Sequence, residues 1–171
     1  MNRSRTKGFT LLELLIVVAI IGIIAALLVP NLIDALNKSK QKRSMTDIRL
    51  AGTAWFSWIT DQVGSGAAGA VVSTFDWSSF TLATYSSLEA DLVPTYASYL
   101  PPVDAWGNDY QYGVTGDVND LIPVAIRSPA SDGTFSGDSY TPGAFFATDF
   151  VQDIVWADGY FVRWPAGYLV N

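Results

Sequence analysis

The sequence predicts an α+β fold: a long N-terminal α-helix, transmembrane in its first half, whose second half packs on a small antiparallel β-sheet head. Three observations carry this. Phe9–Val29 is an almost unbroken apolar run of 21 residues, which as a helix reaches ~32 Å, about the thickness of a bilayer's hydrocarbon core. Met45, Ile48, Gly52, Trp55 and Ile59 then recur at alternating steps of three and four, the spacing of one buried helical face. Near the C-terminus, Ile154–Trp156 and Tyr160–Trp164 flank Asp158-Gly159, a two-residue hairpin turn between strand-forming runs.

The elements follow in order. Arg3, Arg5 and Lys7 precede the apolar run as they would in a secretory signal, but no small-x-small cleavage site follows it, and Ala25-Ala26-Leu27 fits one poorly. The apolar segment is therefore retained. Lys38, Lys40, Lys42 and Arg43 just past it outnumber the leading cations, so charge counting leaves the orientation open. Gly22 and Pro30 weaken the helix, Pro by ~3 kcal/mol in an interior, and predict a kink or melted stretch over residues 22–31.

Gly64-Ser65-Gly66-Ala67-Ala68-Gly69 ends the helix. The organisation is thus a basic 1–8 segment, which the resemblance described below implies is a leader, then 9–33 membrane half, 34–63 amphipathic half and 64–171 head. Within the head, Leu88–Leu100 suits a short helix broken at Pro94. Asp109–Val114 and Leu121–Arg127 alternate as strands, with Tyr110, Tyr112 and Val114 on one face of the first and Ile122, Val124 and Ile126 on one face of the second. Trp106 is expected to fill a gap between helix and sheet, with Gly107-Asn108 turning the chain.

Composition narrows function. There is no Cys and no His, which removes disulfides, thiol nucleophiles, imidazole bases and the usual zinc ligands. Residues 1–50 hold eight Lys/Arg against Glu13, Asp34 and Asp47, whereas from residue 51 onward Arg127 and Arg163 face thirteen Asp/Glu. So acidic a head repels nucleic-acid phosphate and suits divalent cations. Asp117 and Asp120 read as a solvated turn, and no enzyme is expected.

Glu13 is the residue that apolar burial leaves unexplained. A charge in hydrocarbon costs at least ~2.5–3.5 kcal/mol, whereas the helix dipole returns ~0.3–1 kcal/mol, so Glu13 needs a partner, and that partner belongs on another chain.

Lys7-Gly8-Phe9-Thr10-Leu11-Leu12-Glu13 with the apolar run resembles the leader of type IV pilins and pseudopilins. The resemblance implies cleavage after Gly8 by a prepilin peptidase and N-methylation of Phe9. It implies that Glu13 neutralises the Phe9 amine of a neighbouring subunit during assembly, and that the head lies outside the cytoplasm of a bacterium whose inner membrane stores the subunit. The head motifs Asp104-Ala105-Trp106-Gly107-Asn108, Arg127-Ser128-Pro129-Ala130-Ser131-Asp132-Gly133 and Asp153-Ile154 resemble the major pseudopilin of type II secretion. That branch implies calcium held by Asp132 and Asp153, with Asp149 a further candidate; the loop from Ser128 to Asp153 departs from it in being longer and richer in aromatics.

The implied role is a structural subunit of a homopolymeric filament, periplasmic or on the cell surface. The implied partners are copies of itself, an assembly platform protein and ATPase, and minor pseudopilins or pilins. A type IV pilus used in adhesion, motility or DNA uptake is the alternative, and a monomeric membrane-anchored binding module a weaker one.

Overall fold

The computed structural model describes residues 8–63, 75–115 and 124–167. The chain divides into two compact units, Met1–Leu36 and Asn37–Asn171.

In the first unit the described residues are almost wholly helical. Helix α1, Leu11–Val63, begins here and passes through Gly22 and Pro30 without interruption. The expected melted stretch is thus absent from the single chain. Proline removes one N–H from the ladder, and the Ile, Leu, Ala and Val residues on either side keep their own i→i−4 bonds. Asn31 Nδ2 also donates to the Leu27 carbonyl at 3.2 Å, beside the interruption. Every side chain from Phe9 to Leu36 is exposed.

In the second unit, the rest of α1 lies on a six-stranded sheet. Its strands are β2 (Thr81–Ala83), β3 (Gln111–Val114), β4 (Val124–Ser128), β6 (Gly143–Phe145), β7 (Ile154–Ala157) and β8 (Tyr160–Pro165). Their spatial order is β2-β3-β4-β7-β8-β6. All neighbours are antiparallel except β6 and β8, which run parallel, an exception to the expected all-antiparallel sheet. The chain lays β6 beyond β8 before the β7–β8 hairpin is made, and that crossover dictates the direction. A separate ribbon pairs β1 (Phe75–Asp76) with β5 (Ser139–Tyr140).

Met45, Ile48, Gly52, Trp55 and Ile59 are all buried, and they meet Tyr112, Val124, Ile126, Ile154 and Trp156 in the main core. Gly52 is required by this contact. A Cβ there would lie 2.6 Å from the Trp156 ring, so only glycine lets the indole press against the helix backbone. Helix α2, Tyr85–Leu92, contributes Leu88 and Leu92; it starts three residues before the expected position, capped by Thr84, and ends before Pro94.

The sheet is buried on its other face too, where Ala125, Val155, Ala157 and Val162 pack against Phe75, Trp77 and Tyr140. Strand β4 is therefore buried along its whole length. At Asp158-Gly159 both residues have positive φ, 44° and 94°, the geometry of a type I′ turn. Trp106 does not fill the core: it stays half-exposed, with its indole Nε1 donating to Asn37 Oδ1 at 3.4 Å. Residues 64–69, Asp117, Asp120 and Ile122 lie outside the described residues.

Candidate functional site

Two regions hold the candidate residues, one in each unit. At the amino end, Thr10 precedes the first helical turn and Glu13 stands inside it. The Thr10 N–H and Oγ1 both donate to Glu13 Oε2, at 2.8 and 2.9 Å, and the Glu13 N–H donates to Thr10 Oγ1 at 3.2 Å. This is a reciprocal capping box, which satisfies backbone donors that a helix start leaves unpaired. Thr-x-x-Glu is its sequence signature, so Thr10 was legible and went unremarked. Gly8 and Phe9 precede the helix, and Phe9 is 81% exposed. An exposed helix that is wholly apolar from Leu14 to Val29 and opens on one carboxylate is unstable in water and suited to a hydrocarbon-like surrounding. It is long and apolar enough to cross a membrane.

In the head, the motif segments interlock. Asp104 is buried; its Oδ1 accepts from the N–H groups of Trp106 and Asn108, and its Oδ2 accepts from the Ser128 hydroxyl at 2.7 Å. Asn108 Nδ2 donates to the Ala130 carbonyl at 2.7 Å, which fixes the Ala130-Ser131-Asp132 turn. Gly107, at φ 95°, permits the tight turn that brings Asn108 round.

The loop that follows is organised by Arg127, 5% exposed. Its Nη1 donates to the Gly137 carbonyl at 2.8 Å, to Asp138 Oδ1 at 3.2 Å and to the Tyr140 hydroxyl at 2.9 Å, while Nε donates to Gln111 Oε1 at 2.9 Å. The guanidinium lies 4.2 Å from both the Trp77 and Phe135 ring centroids. Such an arrangement satisfies a buried cation with hydrogen bonds and aromatic faces together. The sequence placed Arg127 in a head motif but gave it no role, although a nearly cation-free head made it conspicuous.

Asp153, 2% exposed, adjoins this cage. Its Oδ2 accepts from the Tyr140 hydroxyl at 2.7 Å and the Ser136 N–H at 2.9 Å, and its Oδ1 is buried with no hydrogen-bond partner among the described residues. Burial pushes its carboxyl above the usual value, opposed by those two donors and Arg127, and the nearby charge of Asp132 pushes it up further. Asp132 is exposed, with Oδ1 and Oδ2 accepting from the N–H and hydroxyl of Thr134. Asp149 serves elsewhere, its carbonyl accepting from Gln41 Nε2 at 3.1 Å. Among the described residues no three acidic side chains converge, so Asp132, Asp149 and Asp153 do not form one cluster. Asp153 and Asp132 are the pair whose charges are coupled, and a buried carboxylate oxygen lacking a partner fits a hard cation. Arg163 stands in the same 250 Å³ cleft as Asp153 and opposes one.

Residues 3–29 match the family model for the prokaryotic N-terminal methylation motif. Type II secretion system core protein G of Vibrio cholerae is 32% identical over 136 residues, 78% of this chain and 88% of that protein. The protein of the same name from Klebsiella michiganensis is 31% identical over 127 residues, 65% of this chain and 75% of that one. The type IV major pilin protein PilA of Myxococcus xanthus is 47% identical over 58 residues, 34% of this chain and 26% of the pilin. No solved structure gives a significant match. With an N-terminal methylation motif, an apolar membrane-length helix and likeness that extends through most of the head, the chain belongs to the type II secretion system core protein G family of pseudopilin-like structural subunits.

Proposed function

We propose that this subunit is cleaved after Gly8, N-methylated at Phe9, held in the inner membrane with its head outside the cytoplasm, and polymerised into the pseudopilus of a type II secretion system. The observation that carries this is the exposed apolar helix that runs to Val29, opened by Glu13. In a filament, neighbouring helices take the place of lipid around that surface, and packing rather than water exclusion alone holds them. Glu13 then exchanges its bonds to Thr10 for the charged Phe9 amine of a neighbour, an interaction strengthened by low dielectric. A prepilin peptidase, a platform protein, an assembly ATPase and minor pseudopilins are the partners such a route requires.

Electron microscopy of cells producing the protein with its secretion machinery tests it: filaments in wild type, none with Glu13→Ala. Retained filaments in the variant would remove the role given to Glu13. A surface type IV pilus is the second reading, favoured by the pilin relative, but that likeness covers 34% of this chain whereas the secretion relative covers 78%.

The head's cation is part of the same reading. Asp153 and Asp132 would hold calcium, completed by loop carbonyls and water, and the ion would supply the positive charge that the buried Asp153 oxygen lacks.

A further inference from the structure

We propose that the end of the head adjoining Asn37 is a docking surface for anionic phospholipid headgroups, with Lys38, Lys40, Lys42 and Arg43 as its charges and Phe146 and Val151 as its apolar contacts. This rests on the membrane-anchored reading and adds a second attachment to it.

Four cations occupy positions 38–43 of α1, in the turns that follow the apolar run ending at Val29, with Asn31 and Asp34 between. An internal contact brings a loop to the same turns of the helix: Gln41 Nε2 donates to the Asp149 carbonyl at 3.1 Å. The Asp149 N–H returns to the Phe146 carbonyl at 2.9 Å, closing a turn that leaves Phe146 83% exposed, with Val151 also exposed. Trp106, bonded to Asn37, brings an indole to the same end of the head. Cations and exposed apolar side chains at one end of the head, following an apolar segment in the chain, suit the anionic phosphates of a bilayer surface. Asp34, Asp47 and Asp149 oppose the charge; Asp47 lies 3.7 Å from Arg43. The partner is lipid rather than a second head because the patch follows the apolar segment in the chain, so each anchored subunit meets headgroups before it meets a neighbour.

The absence of Cys makes Thr148→Cys, in the exposed loop, a unique labelling site. The full chain carrying a fluorophore there is reconstituted into phosphatidylcholine vesicles, with or without about 30% phosphatidylglycerol, and quenched by lipids labelled at the headgroup. Quenching is expected to be at least about threefold stronger in anionic vesicles, and to fall to the neutral level with Lys38, Lys40, Lys42 and Arg43 all changed to Gln. Phe146→Ser, at a position that the core does not use, is expected to reduce it as well. Equal quenching in both lipids overturns the proposal. So does shielding that rises with protein density regardless of lipid charge, which would assign the surface to a second copy. Extraction by alkaline carbonate would defeat the anchored reading itself; retention with an unquenched label defeats this inference alone.

Discussion

At the residue scale, Glu13 caps its own helix and, on the proposed reading, meets a neighbour's amine, and substitution separates the two. Thr10→Ala removes the reciprocal cap, a loss of ~1 kcal/mol in helix stability, yet leaves the carboxylate for a neighbour. Filaments are expected with Thr10→Ala and not with Glu13→Ala, read by electron microscopy, while both variants stay in the membrane fraction. Arg127 is the head's most committed side chain. Arg127→Met keeps the bulk between Trp77 and Phe135 but takes the donor from Gln111, the Gly137 carbonyl and Asp138, leaving the Tyr140 hydroxyl its bond to Asp153, so a loss of ~2–3 kcal/mol in chemical denaturation is expected. Arg127→Lys should not restore it, because an ammonium lacks the planar fork. Tyr85 contributes to the alkaline response beside Tyr110, Tyr112, Tyr140 and Tyr160, whose phenols burial also pushes up: desolvation, with the bond to Glu89, pushes its own up to about 12. A raised folded value means that the folded state holds its proton longer, so this contribution is intact below pH 10 and is lost as pH rises towards 12. The melting temperature of Tyr85→Phe should fall less over that window than wild type does.

At the element scale, the close approach of α1 and β7 predicts intolerance at one position. Gly52→Val places carbon within 2.6 Å of the Trp156 ring, and the overpacking, ~1–3 kcal/mol, exceeds what valine gains over glycine in helix propensity. Calorimetry should show a lower melting temperature, with larger side chains worse. The same elements explain what could be read in advance. The helical stripe and the β7–β8 hairpin span enough residues for periodicity and turn chemistry to speak. Strands β1, β2, β5 and β6 have two or three residues each and no period; β1 and β5 meet where Phe75, Trp77, Phe80 and Tyr140 cluster, and β2 and β6 are set by pairing with β3 and β8. The burial of both sheet faces was hidden for a related reason: Ala125 and Ala157 look neutral in sequence until a layer covers them. At the site, the leader was legible because it is a contiguous motif. The Arg127 cage was not, since its partners come from five separate stretches, at residues 77, 111, 135, 137–138 and 140.

At the scale of the whole molecule, metal dependence is the open property of the head. If calcium completes Asp153 and Asp132, saturating the full chain in detergent at a hundredfold excess over the dissociation constant adds ~2.7 kcal/mol, and chelator reverses it. A melting temperature indifferent to chelator would leave the Arg127 cage as the loop's sole organising charge. The division at Leu36 and Asn37 has a further consequence for handling. Released from its assembly, the protein has no single medium in which it is at ease: one part precipitates where the other dissolves. Surfactant, which supplies both environments at once, is therefore expected to disperse the proposed polymer into monomers, whereas brine would tighten its apolar association.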